Sequence, residues 1–286
     1  MNAQDARDES ERSLRRVRKF YQIAAEREWQ RLEQPNDGEL EFAVHKAWIA
    51  RFLPPAPATV LDIGGGPGRY SFWLAELGYG VTLADLSADL LAVARERAAE
   101  AGARLDNIVE ADARNLSSFR DASFDTVLCL GPLYHLLLEE DRRNAAAEVA
   151  RVLKPEGVVF AAFLNRLAVL RVAVNQDLPF FTSYTFDLVS RWYDEGIFIS
   201  PVAGIFTDTF SMHPSEIPAF MEAAGFEMID LISSQSIVAD RQKDLSQFKE
   251  KQPDLYPWVM ERLIATANDP TTVGGGFHML YIGRRR

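Results

Sequence analysis

Apolar positions recur along this chain in two rhythms. From Ser13 to Leu32 they fall at helical spacing, at Leu14, Val17, Ala24, Ala25 and Leu32, with the aromatics Phe20, Tyr21 and Trp29 among them. This predicts an amphipathic helix, whole or broken in two. Residues 1–12 are charged and read as a frayed end. Gln34-Pro35-Asn36-Asp37-Gly38 is turn chemistry. A second helix over about Glu39–Phe52 then presents Leu40, Ala43, Val44, Ala47 and Trp48, and Leu53-Pro54-Pro55 ends it.

The second rhythm is a series of short apolar runs alternating with helical segments. The runs are Val60–Ile63, Val81–Ala84, about Asn107–Glu110, about Asp125–Leu130 and Val158–Leu164, with helices at Tyr70–Leu77, Ala88–Ala101 and Glu139–Leu153 between them. Runs apolar on both faces, each followed by a helix, predict a parallel sheet covered on both sides. Ser87 and Gly102 bracket the helix between the second and third runs as its cap and its stop. Residues 165–210 break the rhythm and are rich in aromatics. A helix over Ser215–Ala224, a strand near Phe226–Ile232, a mostly polar stretch at 235–268 and a last strand from Phe277 to Gly283 complete the chain. The basic tail Arg284–Arg286 reads as solvated, and no internal repeat is visible.

The first strand runs into Asp62-Ile63-Gly64-Gly65-Gly66-Pro67-Gly68-Arg69, and a helix opens at once. Glycines let the chain turn sharply and bring bare N–H groups to a ligand, beside a helix start that favours an anionic group. A dinucleotide fingerprint needs its third glycine at the sixth position from Gly64, which is Arg69 here. What stands is Gly64-x-Gly66-x-Gly68. Asp62, Asp85 and Asp112 end three successive strands, where open parallel sheets hold their ligands.

With these residues placed, the chain resembles the class I S-adenosylmethionine (SAM) methyltransferase family over about residues 55–165, and more loosely to the end. The resemblance implies an α/β, doubly wound, mostly parallel seven-stranded sheet of order 3-2-1-4-5-7-6, the last strand antiparallel. It divides the chain into a helical extension at 1–54 and a SAM-binding domain at 55–286, with insertions at about 165–210 and 235–275. Gly64, Gly65 and Gly66 would pass under the amino-acid part of SAM, and Asp85 would accept the ribose hydroxyls. Leu86 would pack on the adenine, Asp112 and the Ala113 N–H would meet its edge, and the Leu130 and Gly131 carbonyls would take the methionyl ammonium. The segment Tyr21…Trp29…Lys46-Ala47-Trp48 is similar to the lid of glycine N-methyltransferase-type enzymes, where a tyrosine and a tryptophan cover the cofactor. The arginine that binds the SAM carboxylate there falls at Glu41 here.

SAM carries its methyl group on a sulfonium, so alignment can supply about 7–11 kcal/mol of the barrier, and a base is optional. Gly131-Pro132-Leu133-Tyr134-His135 matches a GPLYH pattern of bacterial SAM-dependent methyltransferases, which makes Tyr134 and His135 candidates to orient or deprotonate an acceptor. The bland alternative has His135 hydrogen-bonding backbone in a helix-start turn and Tyr134 packing under the lid. His45 reads as a surface or lid-packing histidine. Tyr184, Phe186, Trp192, Tyr193, Phe198 and Phe206 line a substrate pocket or, equally, form a satellite core or a dimer surface; Asn165 and Arg166 stand where an acceptor would be reached.

Composition narrows the acceptor. Of 286 residues 48% are hydrophobic and 25% charged, with a formal charge of −10. Such a surface repels nucleic acid, and an aromatic-lined pocket suits a small molecule, partly apolar or aromatic, methylated at N, O or S. The single cysteine, Cys129, excludes a disulfide within the chain, and the scattered histidines argue against a metal. A polar start and the lack of a long apolar run predict a cytoplasmic protein without membrane contact, monomer or homodimer. Two other readings stand beside this one. They are a nicotinamide or flavin oxidoreductase, and a sheet that binds SAM without turnover.

Overall fold

The strand residues divide their side chains between the two faces of one sheet. In the computed structural model, which describes residues 3–32, 38–175, 181–201, 207–239 and 241–286, β1 (Thr59–Ile63) sends Val60 to one core and Leu61 and Ile63 to the other. The same alternation holds in β4 (Phe124–Cys129), β5 (Leu153–Asn165) and the last strand, β9 (His278–Arg285), where Met279 and Tyr281 oppose Leu280 and Ile282. Side chains of period two, apolar at both phases, require cover on both faces. The helices α2 (Glu39–Phe52), α3 (Arg69–Glu76) and α11 (Tyr256–Ala265) cover one face, and α6 (Glu139–Val152) and α9 (Ile217–Ala223) the other.

With β2 (Gly80–Asp85) and β3 (Asn107–Glu110), the parallel strands run β3-β2-β1-β4-β5. Beyond β5, β9 pairs antiparallel, and β8 (Phe226–Ser233) pairs with β9. This is the expected seven-strand order. Two strands were not expected. β6 (Ile197–Phe198) and β7 (Thr209–Met212) form a hairpin, and β7 joins β5 at Leu164 and Asn165, past Ala161 where β4 stops.

α1 (Ala3–Arg31) is one helix of 29 residues, about 43 Å long, so the charged stretch before Ser13 is helical rather than frayed. It is tied down along its length. Ser10 donates to Asp141 at 2.9 Å, Arg16 pairs with Asp208 at 2.6 Å, and Glu26 pairs with Arg97 of α4 (Ala88–Ala101) at 2.6 Å. The basic tail is likewise engaged, Arg285 donating to the carbonyls of Arg151 and Leu153 and Arg286 pairing with Glu222. The turn residues 34–37 lie outside the described residues. α5 (Pro132–His135) follows β4. α7 (Val169–Val174) and α8 (Phe186–Glu195) follow β5, and α10 (Gln242–Lys251) and α12 (Pro270–Val273) flank α11. Among the described residues no helix is long and apolar enough to cross a membrane.

Candidate functional site

The carboxyl ends of β1, β2 and β4 open into a cavity whose other walls come from α1, α2, α3 and α5. Gly64, Gly65 and Gly66 line it. Gly64 and Gly66 have φ of +69° and +58°, which side chains rarely adopt, and a Cβ on Gly65 would stand 2.5 Å from the Asp62 carboxyl. The turn therefore needs glycine for two separate reasons, backbone conformation and room. Ala113, Leu86, Leu130 and Gly131 line the same cavity.

The three strand-end acids converge there, each in a different state. Asp62 is buried; its Oδ2 accepts from the Ser71 hydroxyl at 2.7 Å, and its Oδ1 has no hydrogen-bond partner among the described residues. Burial pushes its pKa up to about 7, against the pull of Ser71 and with the charge of Asp85 adding to the rise. Asp85 is tied to backbone, its Oδ2 accepting from Gly66 N at 2.9 Å and its Oδ1 from Ser87 N at 2.8 Å. Burial raises its pKa while those N–H groups oppose the rise. Asp112 is gripped by the Arg114 fork, with Nη2 at 2.7 Å from Oδ2 and Nε at 3.1 Å from both oxygens. Burial acts to raise its pKa, but the guanidinium wins and holds it below the ordinary value.

Tyr134 and His135 both line the cavity, and both are engaged. The Tyr134 hydroxyl donates to the Leu130 carbonyl at 3.0 Å, and burial raises its pKa. His135 Nδ1 lies 3.1 Å from the Asp208 carbonyl, which can only accept, so Nδ1 carries the proton. Burial depresses the ring to about 4, leaving it neutral. Nε2 then accepts from the Tyr21 hydroxyl at 2.8 Å. His135 thus fixes Tyr21, and its lone pair is spent. Tyr21→Phe leaves that buried nitrogen without a donor, a loss of about 1–3 kcal/mol. Scanning calorimetry should show the melting temperature falling by several degrees, and an unchanged value would contradict the tautomer assigned here.

Other sequence candidates lie elsewhere. Trp29 does not line the cavity; its ring meets Phe72 edge-on at 5.7 Å and carries the Arg69 guanidinium at 4.4 Å. Asn165, Arg166, Tyr184 and Trp192, the expected acceptor contacts, do not line it either. The Asn165 amide is buried and donates to the carbonyls of Gly274 and Gly276, and Arg166 pairs with Glu216. Trp192 donates to Ser211 Oγ at 3.0 Å and packs on Phe198 in a small core of its own, which Tyr184 flanks. That is the satellite-core alternative. Phe206 lies outside the described residues.

Sequence reasoning missed Glu28, Arg31, Arg69 and Tyr70 as lining residues, met Glu41 only through the resemblance, and took His45 for surface or lid packing. His45 is buried, with Nδ1 2.9 Å from the Tyr70 hydroxyl and Nε2 2.7 Å from Ser234 Oγ. The legible signal was spacing. Glu41 and His45 sit four residues apart on the face of α2 that buries Trp48, so neither points to solvent.

A family model described as a methyltransferase domain matches residues 61–161. The ubiquinone biosynthesis O-methyltransferase of Xanthomonas axonopodis is 37% identical over 123 residues, 43% of this chain and 50% of that protein. The chain thus spans about half the length of the relatives of this type that it matches. The glycine/sarcosine N-methyltransferase of Halorhodospira halochloris is 27% identical over 212 residues, 71% of this chain and 75% of that protein. Among solved structures, a SAM-dependent methyltransferase of Methanosarcina mazei aligns with a TM-score of 0.57 at 20% identity, over 83% of this chain and 96% of that one. The 1,6-didemethyltoxoflavin-N1-methyltransferase of Burkholderia thailandensis, solved with bound 1,6-didemethyltoxoflavin and S-adenosylhomocysteine, aligns with a TM-score of 0.57 at 14% identity, over 96% and 90%. At these identities the structural likeness is one of fold, and it agrees with the sheet order described above. Over residues 61–161 the chain matches a methyltransferase domain, and its fold is one that SAM-dependent methyltransferases of known structure share.

Proposed function

We propose that this protein binds SAM in the cavity at the strand ends and methylates a small molecule. The convergence of Asp62, Asp85 and Asp112 on one cavity beside a glycine turn carries the reading. The residues present suit the group. Asp62 Oδ1, buried and without a partner among the described residues, suits a cationic donor such as the methionyl ammonium, which the Leu130 and Gly131 carbonyls would also meet. A carboxylate has about four acceptor positions, so Asp85 keeps room for ribose hydroxyls after bonding Gly66 and Ser87. Asp112 shares its oxygens with Arg114, leaving fewer for the adenine amino group; Ala113 N–H and Leu86 complete that end. Arg69 would supply the positive charge for the SAM carboxylate that Glu41 does not. Bound there, SAM would supply a methyl group already activated on sulfur.

The protein's own work is to hold and to exclude water. α1 and α2 would act as the cover, with Arg16–Asp208 and Tyr21–His135 fastening α1 to the rest. His45 and His135 are both depressed to about 4 by burial and are poor bases at neutral pH. Alignment rather than strong base catalysis is the economical mechanism. The net charge of −10 favours a small acceptor over a nucleic acid. Calorimetric titration with S-adenosylhomocysteine and with NAD tests the cofactor, and production of S-adenosylhomocysteine from SAM with a panel of amines, phenols and thiols tests turnover. Heat with NAD alone would give the cavity to an oxidoreductase. Binding of SAM without turnover across the panel would make the protein a binding module.

A further inference from the structure

Beyond the strand-end acids the cavity has a second polar wall, formed by Glu28 and Arg31 of α1, Glu41 and His45 of α2, and the phenols of Tyr70 and Tyr134. Most of these groups are committed. His45 uses both ring nitrogens, and Tyr134 donates to a carbonyl. Glu41 differs. Its carboxylate is only 9% exposed; Oε2 lies 3.1 Å from His278 Nδ1, while Oε1 has, among the described residues, only Arg31 Nη1 at 3.7 Å, beyond hydrogen-bonding reach.

The His278 contact is itself contested. Gln235 Oε1 accepts from the backbone N–H groups of Phe277 at 2.8 Å and His278 at 3.0 Å, so its amide nitrogen is the atom that faces His278 Nδ1, at 3.0 Å. Nδ1 therefore lies between a donor and a carboxylate and can satisfy one at a time. When it accepts from Gln235, Glu41 loses its only close donor among the described residues. Burial acts to raise the Glu41 pKa, but His278 and then Arg31 hold it well below the ordinary carboxylate range. The group is an anion on a cavity wall with acceptor capacity unused.

Charge and shape narrow what would use it. On this wall Glu28 takes Arg31 at 3.1 Å and Arg69 lies over the rings of Trp29 and Phe42, so Glu41 is the acid that presents its charge to the cavity, which Leu14, Val17 and Leu32 also line. Glu41 repels a carboxylate brought to its free oxygen and attracts an amine.

We propose that Glu41 anchors the methyl acceptor, and that the acceptor is an amine with an apolar or aryl body presenting its N–H to the free oxygen of that carboxylate. The inference rests on the methyltransferase reading of the same cavity and names its substrate class. A charge-assisted hydrogen bond of this kind is worth about tenfold or more in affinity.

The test is binding, with turnover absent. Benzylamine, benzyl alcohol and benzoate are titrated into the protein saturated with S-adenosylhomocysteine, for wild type and Glu41→Gln. Benzylamine should bind wild type at least about tenfold tighter than benzyl alcohol, with benzoate weakest. Glu41→Gln should erase that preference while S-adenosylhomocysteine affinity stays within about twofold of wild type, a change small beside the tenfold effect sought. Equal binding of the three ligands to wild type, or a preference that survives Glu41→Gln, overturns the proposal. Should the variant not fold, wild type alone decides. A donor arriving at Glu41 frees His278 Nδ1, so benzylamine should shift that nitrogen's NMR resonance, and a still resonance overturns the anchor. If S-adenosylhomocysteine binds and the amines do not discriminate, the anchor alone fails. If benzylamine discriminates through Glu41 and S-adenosylhomocysteine does not bind, the anchor stands and the methyltransferase reading fails.

Discussion

Asp85→Ala is expected to weaken S-adenosylhomocysteine binding about a hundredfold while lowering the melting temperature by only a few degrees. The carboxylate joins two loops, accepting from Gly66 N at 2.9 Å in the glycine turn and from Ser87 N at 2.8 Å after β2. Each such bond to a charged acceptor is worth roughly 1.5–3 kcal/mol, and the ribose hydroxyls would add to them. Loss of shape in the glycine turn and loss of the ribose contacts fall together on affinity, and about 2.7 kcal/mol corresponds to the hundredfold. Stability behaves otherwise. Burial already makes the charged form of Asp85 unfavourable, as its raised pKa records, so deleting it removes a desolvated anion along with its bonds. Calorimetric titration beside thermal unfolding separates the two. An affinity unchanged from wild type would refute the ribose assignment, and a large fall in both would make Asp85 a purely structural staple.

The sheet and its ligand edge were legible because their causes are local. Four or five apolar residues ending in Asp62-Ile63-Gly64 specify strand, turn and helix start within one stretch of chain. What was illegible depended on partners remote in sequence. The charged run before Ser13 looks solvated until Ser10 finds Asp141 and Glu11 finds Arg114, neither of which local spacing announces. β5 begins at Leu153, five residues before the apolar run. Its first part, Lys154-Pro155-Glu156-Gly157, reads as a turn and is held as an irregular strand, with the ladder to β4 slipping between Phe124 and Thr126 and Lys154 bonded to Asp125 at 2.8 Å. The aromatics after β5 show the same limit. Periodicity says that Trp192 is buried, but not that its neighbours are Phe198 and Ser211 rather than an acceptor. On α2, by contrast, the signal was present. Glu41 and His45 share the face of Trp48, and a polar pair on an apolar face points inward to a partner.

Asp62 provides the second large effect, and it is a pH effect. In the ligand-free protein burial raises its pKa from the ordinary 3.8 to about 7. A carboxyl raised on folding stabilises most below the unfolded value, and that contribution is lost as pH rises from about 4 through 7, about 1.4 kcal/mol per unit of pH in that window. Over the window the cost of ionising it in place reaches on the order of 4 kcal/mol. A cation bound at the bare Oδ1 reverses the preference by favouring the charged form. Binding of S-adenosylhomocysteine should therefore release a proton below pH 7 and none well above it, with affinity rising about tenfold per pH unit up to 7 and then levelling. Titrations in buffers of different ionisation enthalpy measure that proton directly. Asp62→Asn keeps the Ser71 bond and removes the titration. The variant should melt higher than wild type above pH 7, bind more weakly there, and show no slope of affinity between pH 5 and 7. If the asparagine variant still releases a proton on binding, another group titrates and the ammonium is not held at Asp62.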